Sequence, residues 1–168
     1  MTAPAIAPEF SRTVRASDVS QRRQHSLGAN AGERAALAAR FDLLALDRLE
    51  ATLELRADGG VILLTGHFSA AGAQPCVRTR APVPFALAEP ISLRLIPEAP
   101  AGEDLELASE DLDSEPLSSD IIDLGEYVAQ ALALALDPYP RSDEPAPGVL
   151  SEEQARVASS PFAVLRKD

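Results

Sequence analysis

The stretch Ile121–Pro140, IIDLGEYVAQALALALDPYP, constrains this chain more than any other. It is the densest apolar segment, and it carries its own start and stop. Asp123 is placed to cap the backbone donors of a helix beginning at Leu124. Glu126, three residues on, is placed to reach back in a capping box and to meet the positive end of the helix dipole. Leu124, Val128, Leu132 and Ala135 recur at spacings of three and four and share one side. The ALALAL portion alternates as a strand would, but Ala and Leu are strong helix formers and the cap precedes them. Asp137-Pro138 ends the helix, because a residue before proline is pushed out of the α region. Tyr127, Ala131 and Leu134 form a second apolar stripe, so this core helix is expected to pack on more than one side.

What it packs on is written upstream with a period of two. Leu49, Ala51, Leu53 and Leu55 alternate with charged and polar residues, the mark of a half-buried antiparallel strand. Asp58-Gly59-Gly60 reads as a hairpin turn, since glycine reaches positive φ without a Cβ penalty. Val61–Ser69 returns as a second, more central strand, and Ala70–Gln74 reads as the next turn. Cys76–Leu87 is expected as a third strand, with Pro82 and Pro84 marking it as an edge or a bulge. Ile91, Leu93 and Leu95 make a fourth strand that ends at Pro97. Upstream, Phe10–Val14 reads as a short strand and Arg22, Arg23 and His25 as a polar connection. The run from Glu33 offers Leu37, Phe41 and Leu44 at helical spacing.

Ala99–Ser119 is Pro-, Ser- and acid-rich and reads as a loop leading to the capped helix, with Leu105 and Leu107 as a short strand within it. The expectation is an α+β domain: an antiparallel meander of about four to six strands with the long helix of the C-terminal half packed on it. A disordered tail (residues 1–8) precedes the domain (9–140). A linker and docking tail (141–168) follows, with a short helix from Ser151 and an apolar end at Phe162, Val164 and Leu165.

The 168 residues suffice for a real core. The N-terminus lacks a basic region followed by an apolar run, and no segment approaches the roughly 18–20 apolar residues that span a bilayer, so a cytoplasmic protein is expected. A single cysteine agrees with a reducing compartment. The net charge of −11 is uneven: residues 1–100 hold eleven arginines against ten acids, whereas 101–168 hold four basic residues against sixteen acids. Such a chain repels phosphate backbones at long range, which disfavours DNA and broad RNA binding. An acidic approach through Asp111, Asp113, Glu115 and Asp120 suits a basic protein partner, with the Cys76–Arg80 strand (Cys76, Arg78, Arg80) as a second candidate partner surface, against the plainer reading that the acidic charges keep a loop solvated.

Few residues invite chemistry. Cys76 needs a base, and His67 on the neighbouring strand is the nearest in sequence; burial of the thiol as a small hydrophobe is the commoner fate. Cys76, His25 and His67 do not make a zinc pattern. No nucleophile elbow, dinucleotide fingerprint or Walker sequence is present. Arg78, Arg80 and Arg94 are placed to line a basic face for an anion or RNA phosphate, or to solvate an outward sheet face. Asp120, Asp123 and Glu126 lack EF-hand spacing, and helix capping explains two of the three.

Cys76-Val77-x-Thr79-x-x-Pro82-Val83, Glu115-Pro116-Leu117, Asp120–Glu126 (DIIDLGE), Leu132–Arg141 (LALALDPYPR) and the closing Ser160–Leu165 resemble the YceD family of large ribosomal RNA subunit accumulation proteins, in the alphaproteobacterial form. The resemblance covers roughly residues 9–168. It implies a non-enzymatic, cofactor-free role in making or preserving the large-subunit (23S) ribosomal RNA, with a ribosomal protein or assembly factor of the large subunit as partner. Many relatives carry a second cysteine shortly after the first; Thr79 stands near that place here, so no metal is expected. The alternative is direct RNA binding through the arginines, and a third is thiol or hydrolase chemistry at Cys76 and His67.

Overall fold

The alternation read between Leu49 and Leu95 folds as a sheet of long strands. The computed structural model describes residues 8–20, 22–97 and 114–143, together with Glu152. In chain order these form β1 (Thr13–Arg15), a 3₁₀ turn (Ala16–Asp18), β2 (Arg23–Gly28), α1 (Ala31–Arg40), β3 (Ala45–Asp58), β4 (Val61–Pro75), β5 (Pro82–Pro97), β6 (Ser114–Leu117), β7 (Ile121–Asp123) and α2 (Leu124–Ala135). The main sheet runs β2-β3-β4-β5-β6, and β1 and β7 pair as a separate ribbon. The architecture is α+β.

Several sequence expectations need correction. The sheet is mixed, because β6 pairs with β5 in parallel. Ile121–Asp123, not read as a strand, pairs with Thr13–Arg15, while the helix begins at Leu124 behind the Asp123 cap as expected. The early strand is Thr13–Arg15 rather than Phe10–Val14, and Phe10 is buried just before it. Arg23 and His25 belong to β2, an edge strand whose polar residues face outward while His25 and Leu27 are half-buried beside β3. The reading of Ala70–Gln74 as a turn fails at Gly72, where a Cβ would lie 2.2 Å from the Ala45 carbonyl oxygen. That glycine marks close approach of two strands, not a reversal. The reversal comes at Cys76–Ala81, and the third and fourth strands are one, β5. Asp111, Asp113, Leu105, Leu107, residues 1–7 and, apart from 141–143 and the helical Glu152, the expected C-terminal segment lie outside the described residues.

The β3–β4 hairpin turns at Gly59 (φ 58°) and Gly60 (φ 90°), two left-handed residues in succession as a tight hairpin requires. Gly66 (φ 155°) lets β3 press on β4, since a Cβ there would meet the Thr52 oxygen at 2.1 Å. Pro82, Pro84 and Pro90 share one parity in β5, and its register with β4 runs unbroken past all three. Their missing donors therefore fall on the outer edge, where, among the described residues, only Arg94–Pro97 is paired. A proline-blunted edge resists adventitious strand pairing.

Helix α1 is capped by Asn30 in a full capping box with Glu33: Glu33 N–H donates to Asn30 Oδ1 (3.0 Å) and Asn30 N–H to Glu33 Oε2 (2.8 Å). Leu37 of α1 and Leu124, Val128, Ala129 and Leu132 of α2 meet Leu53, Leu55, Leu64, Phe68 and Leu95 of the sheet in one buried cluster. The opposite sheet face exposes Glu50, Thr65, His67 and Ser92. Among the described residues, no helix is long and apolar enough to cross a membrane.

Candidate functional site

Two constructions gather the sequence motifs, one at each end of α2. At the start of the helix, Asp123 Oδ1 accepts the amides of Arg12 (2.8 Å), Gly125 (3.0 Å) and Glu126 (3.4 Å), while Oδ2 accepts the Ser11 hydroxyl (2.6 Å). One carboxylate thus caps the helix and ties it to the N-terminal segment. Gly125 is buried under that segment, and a Cβ there would lie 2.3 Å from the Phe10 carbonyl oxygen. Glu126 does not reach back as a capping-box partner. Its carboxylate takes both Arg40 nitrogens (2.9 and 2.8 Å), and Arg40 also reaches Glu9 (3.1 Å). The Arg40 hydrogen bond holds the Glu126 carboxyl below its ordinary range, and the Glu126 bond raises Arg40. Asp120 accepts the Ser17 amide (2.8 Å) and hydroxyl (2.9 Å). Each polar residue of the DIIDLGE run is therefore occupied in holding the fold.

At the far end of the helix, Cys76–Ala81 forms a tight turn closed by Cys76 N–H to Ala81 O (2.8 Å) and Arg80 N–H to Cys76 O (2.9 Å). Arg80 takes the left-handed conformation (φ 62°) and pairs with Asp42 (3.2 Å), itself left-handed (φ 51°). The DPYP segment is clamped onto this turn. Gln74 Nε2 donates to Asp137 O (2.8 Å), Val77 N–H to Pro140 O (2.9 Å), and Ser142 N–H to Cys76 Sγ (3.4 Å). Thr79 and Ser142 hydroxyls lie 3.3 Å apart, and Arg78 donates to Ser142 O (3.3 Å). The Cys76 sulfur is fully excluded from solvent. Hydrogen bonds from the Ser142 and Thr79 hydroxyls and the Ser142 amide pull its pKa down to about 5 against the opposing effect of burial. Val77 (51% exposed) and Tyr139 (71% exposed) project outward from the clamp.

The register separates residues that the sequence allowed to meet. His67 pairs with Thr52 and Pro90, and nine residues of extended β4 place it roughly 30 Å from Cys76. No Cys–His pair forms. Arg94 lies opposite Leu63, about 40 Å along β5 from the turn that holds Arg78 and Arg80, so the three arginines share no face. Among the described residues, no three His, Cys, Asp or Glu side chains converge to hold a metal. Glu115 lies in β6, opposite Leu95 of β5. Gln74, Asp42 and Ser142 were not singled out by the sequence; only the polar Gln74 amid SAAGA offered a signal.

The model of the family described as large ribosomal RNA subunit accumulation protein YceD matches residues 64–167. The chain belongs to the YceD family. The Cys76–DPYP turn and Asp123 fall inside the matched region, whereas Ser11 and Arg12, which Asp123 holds, lie outside it. No curated protein and no solved structure matches the chain.

Proposed function

We propose that this YceD-family protein is a non-enzymatic, cytoplasmic factor that supports synthesis, processing or accumulation of large-subunit ribosomal RNA by contact with a ribosomal or assembly protein. The observation that carries the reading is the family match, whose description concerns large-subunit ribosomal RNA accumulation. The non-enzymatic part is supported by what the motif residues do. Asp120, Asp123 and Glu126 are consumed by internal bonds, and among the described residues the buried Cys76 is bonded by Ser142 with His67 far along β4. A protein partner is favoured over RNA by the net charge of −11 and by the separation of Arg94 from Arg78 and Arg80. Depletion should lower the ratio of large- to small-subunit ribosomal RNA; an unchanged ratio and subunit profile would sink the reading. Affinity purification with and without RNase chooses between partners. Retention of a large-subunit protein after RNase favours protein contact, and loss of every partner favours direct RNA binding.

A further inference from the structure

The stripe Tyr127, Ala131 and Leu134 follows the helical rule of i, i+4, i+7, and while Tyr127 and Ala131 are partly buried against the core, the structure leaves its Leu134 end uncovered. Leu134 is 89% exposed, the most open of the large apolar side chains among the described residues. A groove of about 430 Å³ runs along this stripe. The helix forms one wall, Pro90–Leu93 of β5 the other, and Phe68 contributes to its lining. The groove lies beside the half of β5 whose outer edge has no strand paired with it among the described residues.

Its charges are of one sign. Glu89 and Glu115 line it, and no Lys, Arg or His among the described residues does. Glu115 and Tyr127 line the same groove, and burial, then the charge of Glu115, push the Tyr127 hydroxyl up to about 12. An acidic border around an apolar floor excludes phosphate and selects a cation-flanked apolar side chain. The net charge of −11 adds long-range attraction for such a partner.

We infer that the groove between α2 and β5 docks a segment of a partner protein carrying a large apolar side chain flanked by lysine or arginine, anchored on Leu134 and oriented by Glu89 and Glu115. This deepens the protein-contact reading above and rests on it. The anchor is the hot spot, and the two carboxylates set encounter rate and orientation.

The test uses the full chain and a fluorescein-labelled amphipathic peptide of leucine and lysine, with affinity read by anisotropy across a salt series. The wild-type chain binds the peptide. Leu134→Asn weakens binding about ten-fold or more, the loss of one buried leucine contact, with thermal unfolding unchanged because the side chain is exposed. Glu89→Lys with Glu115→Lys weakens it further and flattens the salt dependence. Asp18→Lys with Asp47→Lys, an equal charge change away from the groove, leaves affinity within about two-fold. Equal losses from the two charge pairs, or no loss from Leu134→Asn, overturn the inference. So does a rise in peptide affinity when Phe162 and Leu165 become serine, which assigns the groove to this chain's own end. Self-association that Leu134→Asn abolishes overturns it in favour of a second copy, and binding of single-stranded RNA that Leu134→Asn abolishes overturns it in favour of RNA. In cells, depletion that lowers the ribosomal RNA ratio while the Leu134→Asn and Glu89→Lys/Glu115→Lys variants leave it intact removes the groove and spares the function.

Discussion

The Asp123 carboxylate and the Ser11 hydroxyl lie 2.6 Å apart although 112 positions separate them in the chain. The same carboxylate takes the Arg12 amide and two amides of the first turn of α2, so helix capping and closure of the N-terminal segment are one interaction. Asp123→Ala leaves several partly buried donors without an acceptor. It should cost about 2–3 kcal/mol, more than an ordinary cap. Urea denaturation checks the value; a loss under about 1 kcal/mol contradicts the double role.

Two helical glycines should respond oppositely to alanine. At Gly125 the new Cβ meets Phe10 backbone at 2.3 Å, and backbone cannot swing aside, so Gly125→Ala should destabilise by about 2 kcal/mol or more. At Gly32 the nearest atom is the Asn30 side-chain oxygen at 3.4 Å, an ordinary contact. Gly32→Ala should then stabilise by up to about 0.5–1 kcal/mol through helix propensity. Paired thermal melts decide it.

His25 faces the core side of β2 opposite Leu53, and its Nε2 is buried without a partner among the described residues. Burial, and then the charge of Arg23, lower its pKa below 6.5. The unfolded chain therefore takes the proton more readily, and stability falls as pH drops below about 6.5 toward the lower folded value. Glu33 and Glu126 are also held low, by hydrogen bonds from Arg12 and Arg40. Their contribution is present above the ordinary 4.5 and is lost as pH falls through their folded values. His25→Leu should raise neutral-pH stability by about 1 kcal/mol and erase the first fall while leaving the second. A denaturation series in pH reads both phases.

Cys76 makes a contrasting prediction. Its pKa drops from 9.0 to about 5, so the unfolded thiol binds the proton more tightly through that interval. The stabilising contribution is complete above 9.0 and is lost as pH falls toward 5. Stability should keep rising with pH between those values in the wild type, and Cys76→Ser should remove that slope. Thiolate ultraviolet absorbance should titrate near 5 in the folded chain, while thiol reagents react only after unfolding because the sulfur has no exposed surface.

Where a signal is local, the sequence carried it. Asp123 before an apolar helical run, Gly59-Gly60 between two alternating segments, and Pro82 and Pro84 on a strand edge each report the backbone of their own neighbourhood. Sequence and structure part where one local signal serves two geometries. Gly72 looks the same whether the chain turns or another strand presses on it. Val77, Thr79 and Ala81 alternate as a strand would, but Arg80 adopts a left-handed backbone that nothing in its side chain announces. The polar residues of β2 match a connection equally well, because an edge strand has one wet side.

The sequence by itself determined the α+β class, the capped helix and the glycine hairpin, since hydrophobic period, cap chemistry and positive φ act over a few residues. Only the tertiary structure decided that Glu126 serves Arg40, 86 positions away, that Cys76 lies under Ser142, and that Leu134 stays bare above a groove. Those outcomes depend on which surfaces meet after the strands fix their register. A side chain's own type sets what it can bond, and packing chooses with whom.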